Sequence, residues 1–189
     1  VFFLGFATFF LVTADRYQGD DLKTHYLEFM YCVFGFIYLA FLPSFLVSLR
    51  QSAYGAHWSI LFLFIIWSND VGAYFAGSKY GKRRLYPHIS PKKSWEGAYG
   101  GAAASLIITI LFKLTVFKAL SWTGMVVIPL VLSVSGPVGD LAESFLKRAF
   151  DKKDSSQLIP GHGGFLDRFD SVVFSLPVMV ALTRIFGAV

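Results

Sequence analysis

Six long apolar runs constrain this chain more than any other feature. They lie at about residues 1–12, 29–49, 58–77, 97–117, 122–142 and 169–189. Crossing the hydrocarbon of a bilayer takes about 20 residues of helix. Runs of this length must be helical there, because lipid offers no partner to a backbone amide or carbonyl. The expected fold is therefore all-α: a polytopic integral membrane protein with about six transmembrane helices, residues 1–189 forming a single membrane domain. Charged residues make up 15% of the chain and hydrophobic ones 55%, which argues against an ordinary soluble domain, usually nearer a quarter charged. Cys32 is the sole cysteine, so no internal disulfide can form. The first residues, VFFLGFATFFLV, start mid-span without Met or a basic leader, as expected if further N-terminal spans precede them. Pro43, Pro129 and Pro177 are expected to kink their helices. Gly97 and Gly101, followed by Ala102, Ala103 and Ala104, give one helix a small face for close packing.

Positive charge sets the expected orientation. Connections 13–28, 78–96 and 143–168 hold two, six and five of the 17 Lys and Arg, which puts them together on the cytoplasmic side. Lys113 and Arg184, near span ends, are expected to snorkel to water.

Chemistry concentrates in the third of those connections and the helix ends beside it. Asp140 and Glu143 are three residues apart, as are Asp167 and Asp170; on helices each pair shares a face. Carboxylates at the membrane face a cavity or a partner, and their hard oxygens suit Mg²⁺ bound together with substrate phosphates. Asp167 and Asp170 would also simply favour a helix N-terminus. Between the pairs lie Lys147, Arg148, Lys152, Lys153 and Arg168, able to neutralise phosphate; the positive-inside bias accounts for Lys152 without any ligand. Pro160-Gly161-His162-Gly163-Gly164 lets backbone amides approach an anion, with His162 as a phosphate ligand, a proton carrier or a turn cap. In the third run Asn69 and Asp70 interrupt an apolar segment, a functional signal whose plain rival is a structural hydrogen bond. Ser90-Pro91-Lys92-Lys93-Ser94 then leads into the fourth helix, with Ser94 as cap and Glu96 in the first turn, an anion-binding arrangement. No phosphate-binding glycine loop, HExxH, GxSxG or cysteine metal motif is present.

Ser144 to Asp170, S-F-L-K-R-A-F-D-K-K-D-S-S-Q-L-I-P-G-H-G-G-F-L-D-R-F-D, resembles the signature of the phosphatidate cytidylyltransferase (CDP-diacylglycerol synthase) family. Lys147-Arg148, Lys153-Asp154, Ser156, Pro160, His162-Gly163-Gly164, Asp167-Arg168 and Asp170 all fall in place. A second block is similar: Asp70, Ala73, Tyr74 and Gly77, then Gly81-Lys82, then Ser90-Pro91-Lys92-Lys93-Ser94, Glu96 and Gly97. Val71 departs from it, standing where Thr or Ser is expected. The resemblance covers residues 60–189; residues 1–59 match only as spans.

The resemblance implies transfer of the cytidylyl group of CTP to phosphatidate, giving CDP-diacylglycerol and pyrophosphate in phospholipid biosynthesis. It implies Mg²⁺, held by Asp140, Asp167 and Asp170, and leaves a second cation open. The catalytic candidates are Asp70, Lys93, Glu96, Lys147, Arg148, Lys153, Asp154, His162 and Arg168. Asn69, Ser90, Lys92, Ser94, Gly163 and Gly164 are substrate-binding candidates. The implied partners are CTP, phosphatidate and membrane lipid, with no nucleic acid and a homodimer left open. The implied location is a bacterial inner membrane, with the site on its cytoplasmic side. Two rivals remain: a CTP-dependent polyprenol or phytol kinase, and, less favoured, an anion transporter with Asp70 at mid-depth.

Overall fold

The computed structural model describes residues 7–8, 22–87, 90–150, 152, 155–156, 164 and 166–186. The chain divides into two units, residues 1–44 and 45–189. The first holds helix α1, Leu22–Phe36, and a π-helical turn, Ile37–Phe41. Helix α2, Leu42–Gln51, continues directly from it, the Leu42 amide donating to the Ile37 carbonyl, and Pro43 comes just past this π-turn.

The second unit is a bundle of α3 (Gly55–Tyr80), α4 (Trp95–Thr115), α5 (Trp122–Ala149) and α6 (Leu166–Phe186). Five helical stretches are long and apolar enough to cross a membrane: Lys23–Gln51, Gly55–Tyr80, Trp95–Thr115, Trp122–Ala149 and Leu166–Phe186. The architecture is that of an all-α polytopic membrane protein. The sixth expected span, at 1–12, lies outside the described residues apart from Ala7 and Thr8.

Between α3 and α4 the chain departs from pure helix. Strands β1 (Arg84–Tyr86) and β2 (Ser90–Ser94) pair antiparallel, Arg84 opposite Ser94 and Tyr86 opposite Ser90. This hairpin was not expected. Ser94 then caps α4, its Oγ accepting from the Gly97 amide at 3.2 Å, as the sequence implied.

Backbone contact joins α3 to α4. A Cβ added at Gly72 would stand 2.6 Å from the Ala104 methyl, and one at Gly97 would stand 2.9 Å from the Ala73 carbonyl. Gly101 lies against Asn69. The small face expected from Gly97 and Gly101 thus packs on α3. Ser105 adds an interhelical hydrogen bond to the Ile65 carbonyl, 3.2 Å, and Ser135 of α5 meets Ser175 of α6 at 2.9 Å. Lipid is as apolar as the helices, so close packing and such bonds hold the bundle together. Trp58, Phe62, Ile65, Ile128, Leu132, Leu176 and Met179 fill its centre. Pro129, Pro137 and Pro177 lie inside helices that continue through them.

Lys113 corrects an expectation. It does not snorkel: it is buried, donates to the Leu120 carbonyl and lies 4.4 Å from the Trp122 ring centre. The turn after α4 supplies the carbonyl and the first residue of α5 the ring, so the buried ammonium has polar and aromatic partners.

Candidate active site

Each of the four helices of the second unit ends or begins at one end of the bundle, beside the hairpin. A cavity of about 370 Å³ opens there. Helix α3 lines it with Asn69, Asp70, Ala73, Tyr74 and Gly77; the hairpin adds Leu85, Ser90, Lys92, Lys93 and Ser94. Gly97 and Ala98 of α4 and Pro137 and Asp140 of α5 complete the wall. Asn69 and Asp70, an anomaly in an apolar run, therefore line this cavity. Val71, the departure from the family pattern, is not among the lining residues and is exposed.

Lys93 crosses the cavity. Its Nζ lies 2.7 Å from Asp140 Oδ2 and donates to the Pro137 carbonyl at 3.1 Å. Ser144, one turn beyond, donates to the other Asp140 oxygen at 3.2 Å. Two segments 44 residues apart in sequence are joined in this way.

A second cluster sits between α5 and α6. Lys147 Nζ is 3.0 Å from Glu143 Oε2 and 2.5 Å from Asp167 Oδ1. Asp167 Oδ2 accepts three further bonds: from the Ser155 amide (2.9 Å), the Ser155 hydroxyl (2.8 Å) and the Gly164 amide (2.7 Å). Asp170 is buried and accepts from the Ser171 amide at 2.6 Å. It is within electrostatic reach of Asp140 and Asp70, which links the two clusters.

The structure thus brings Asp70, Asn69, Ser90, Lys92, Lys93, Ser94 and Asp140 to one cavity, and Lys147, Gly164 and Asp167 to the neighbouring cluster. Arg148 and Arg168 are exposed at the facing ends of α5 and α6, outside the cavity lining. Glu96 is outside it too: its carboxylate accepts from the amides of Lys82 and Arg83. Lys153, Asp154, His162 and Gly163 lie outside the described residues. Glu143 was grouped with Asp140 by spacing but takes other partners, the Lys147 ammonium and the side chain of Asp170. Leu85 and Pro137 are lining residues that motif reading passed over, since apolar wall positions carry no chemical signal in sequence.

The fit to a metal is one of chemistry. Among the described residues no three of His, Cys, Asp and Glu converge as ligands of one ion. Yet the five carboxylates Asp70, Asp140, Glu143, Asp167 and Asp170 outnumber the three lysines beside them, Lys92, Lys93 and Lys147. Hard oxygens in excess suit Mg²⁺.

Residues 1–186 match the Cytidylyltransferase family. The chain belongs to the cytidylyltransferase family. Among individual relatives it is 41% identical to the phosphatidate cytidylyltransferase of Bacillus subtilis, over 80% of this chain and 56% of that protein. It is 38% identical to that of Staphylococcus saprophyticus, over 89% of this chain and 62% of the relative. It is 43% identical to that of Brucella suis, over 82% and 56%. This member of the cytidylyltransferase family therefore spans between 56% and 62% of the length of the curated relatives it matches here.

Proposed function

We propose that this chain carries the catalytic part of a Mg²⁺-dependent phosphatidate cytidylyltransferase, working at the cytoplasmic face of a bacterial inner membrane. CTP and phosphatidate react to give CDP-diacylglycerol and pyrophosphate. One observation carries the reading: Lys93, in the block from Asp70 to Gly97, lies 2.7 Å from Asp140, one helical turn before the Ser144–Asp170 block.

Lys92 and Lys93 line the cavity and would hold phosphate oxygens there. A phosphatidate oxygen attacks the α-phosphorus of CTP; the new P–O bond forms as the bond to the departing pyrophosphate breaks. That nucleophile is already anionic near neutral pH, so no strong general base is required. The residues act by holding both phosphates in line and neutralising charge. Asp140, Asp167 and Asp170, the ligands the family resemblance implies, would hold Mg²⁺. Bound there, the ion would neutralise triphosphate charge and so ease departure of pyrophosphate. A cavity at the edge of the bundle suits one lipid and one water-soluble substrate.

The test is to incubate the protein in detergent with phosphatidate, Mg²⁺ and CTP labelled in either the α- or the γ-phosphate. α-Label should enter the lipid phase, and Asp140→Asn should abolish it. Transfer of γ-label alone would identify a lipid kinase. Solute uptake into sealed vesicles, with no label in lipid, would identify a transporter.

A further inference from the structure

The hairpin that delivers Lys92 and Lys93 has little to hold it in place by itself. Its strands are three and five residues long, with an irregularity in register between Arg84 and Tyr86. Isolated two-stranded hairpins are marginal, and Pro91 donates nothing to the ladder. Lys93 nonetheless has to reach Asp140 across the cavity, so the ribbon must be fixed from outside.

Glu96 supplies that support. With Ser94 as N-cap, Glu96 is the second residue of α4, and Gly97 is the third and donates to Ser94. A capping box would need the acid at the third position, so Glu96 is free to turn outward. One of its carboxylate oxygens accepts from the Lys82 amide at 3.1 Å and the Arg83 amide at 3.3 Å; the other accepts from Arg83 at 3.3 Å. The Trp95 amide donates to the Arg83 carbonyl at 3.0 Å beside them. Two residues at the start of the hairpin are thus fastened to the first turn of α4. Glu96 lies away from the cavity, in a separate hollow with Arg83, Trp95 and Tyr99. From there its carboxylate acts through the hairpin backbone.

We infer that Glu96 is a positioning residue: its carboxylate clamps the Lys82 and Arg83 amides and so holds the hairpin where Lys92 and Lys93 enter the cavity. The inference rests on the reading of the cavity as the phosphate-binding site. Bonds to an ionised acceptor are the stronger kind, and a carboxylate can serve both amides from either oxygen.

Glu96→Ala and Glu96→Gln, each in lipid nanodiscs, test it with two measurements. The first is hydrogen exchange, followed by mass spectrometry over a peptide covering residues 79–87. The second is steady-state transfer of α-labelled CTP to phosphatidate. In the alanine variant exchange should quicken about tenfold and KM for CTP rise about tenfold, with kcat within about threefold of wild type. Glutamine keeps one acceptor oxygen and should restore most of both. Unchanged exchange in the alanine variant overturns the clamp, as does a kcat loss without an exchange change. If wild type labels no lipid while exchange still quickens in the alanine variant, the clamp stands and the cytidylyl-transfer reading falls.

Discussion

Lys147 shows what a single ammonium does at this site. It stands between Glu143, whose side chain is 1% exposed, and Asp167, at 11%. Removing it strands two carboxylates in poorly hydrated surroundings, and breaking such a buried pair typically costs about 3 kcal/mol. Lys147→Met should therefore lower the thermal unfolding midpoint in detergent clearly, and adding Glu143→Gln should recover part of the loss without restoring activity. Lys93 is a different case. Asp140 is 37% exposed, so water screens the pair and its share of stability is under about 1 kcal/mol. Lys93→Met should leave unfolding nearly unchanged while α-label transfer falls about a hundredfold. Residue roles were legible where local chemistry dictates them. Ser94 as a cap follows from a hydroxyl set before a helical run. Lys113 was misread because distance to a helix end says nothing of the Leu120 carbonyl and Trp122 ring that the following turn brings to it.

Among the elements, the α3–α4 pair is held by what is missing from its side chains. Gly72→Ala would set a methyl 2.6 Å from both Ala104 Cβ and the Gly100 carbonyl, and overpacking of this kind costs about 1–3 kcal/mol. Gly35→Ala offers the control, since nothing lies within 4 Å of the added atom; helix propensity alone should stabilise it by up to about 1 kcal/mol. Thermal unfolding of the two variants side by side checks both signs. The seam was legible because small residues spaced four apart leave a flat helix face. The hairpin was not: R-L-Y-P-H-I-S-P-K-K-S, with two prolines and a cluster of lysines, reads as a loop. Its pairing depends on bonds from Glu96 and Trp95 that no strand pattern records.

At the level of the whole molecule, the spans read from hydropathy agree with the helices but stop short at the polar end. The fifth run was placed at 122–142, yet α5 continues to Ala149 and carries Glu143 and Lys147 beyond the apolar part. The sixth was placed from Phe169, yet α6 starts at Leu166 with Asp167 in its first turn. Hydropathy finds what lipid covers, and this site is built from the helix ends it leaves out. Orientation has its own check. In a Cys32→Ser background, Tyr86→Cys on the exposed face of β1 should react with an impermeant maleimide only from the cytoplasmic side of cells or inverted vesicles. Labelling from outside would reverse the assignment and place the site away from cytoplasmic CTP.

The glycine seam also bears on how the site can move. Helices touching backbone to backbone leave no compliant layer of side chains between them, so α3 and α4 turn as one stiff plate. Under the proposed function, any widening of the cavity to admit lipid would then fall to α5 moving against that plate, since Glu96 fastens the hairpin to α4. Lys93 is bonded across this gap to Asp140 and Pro137, and so ties α5 to the hairpin.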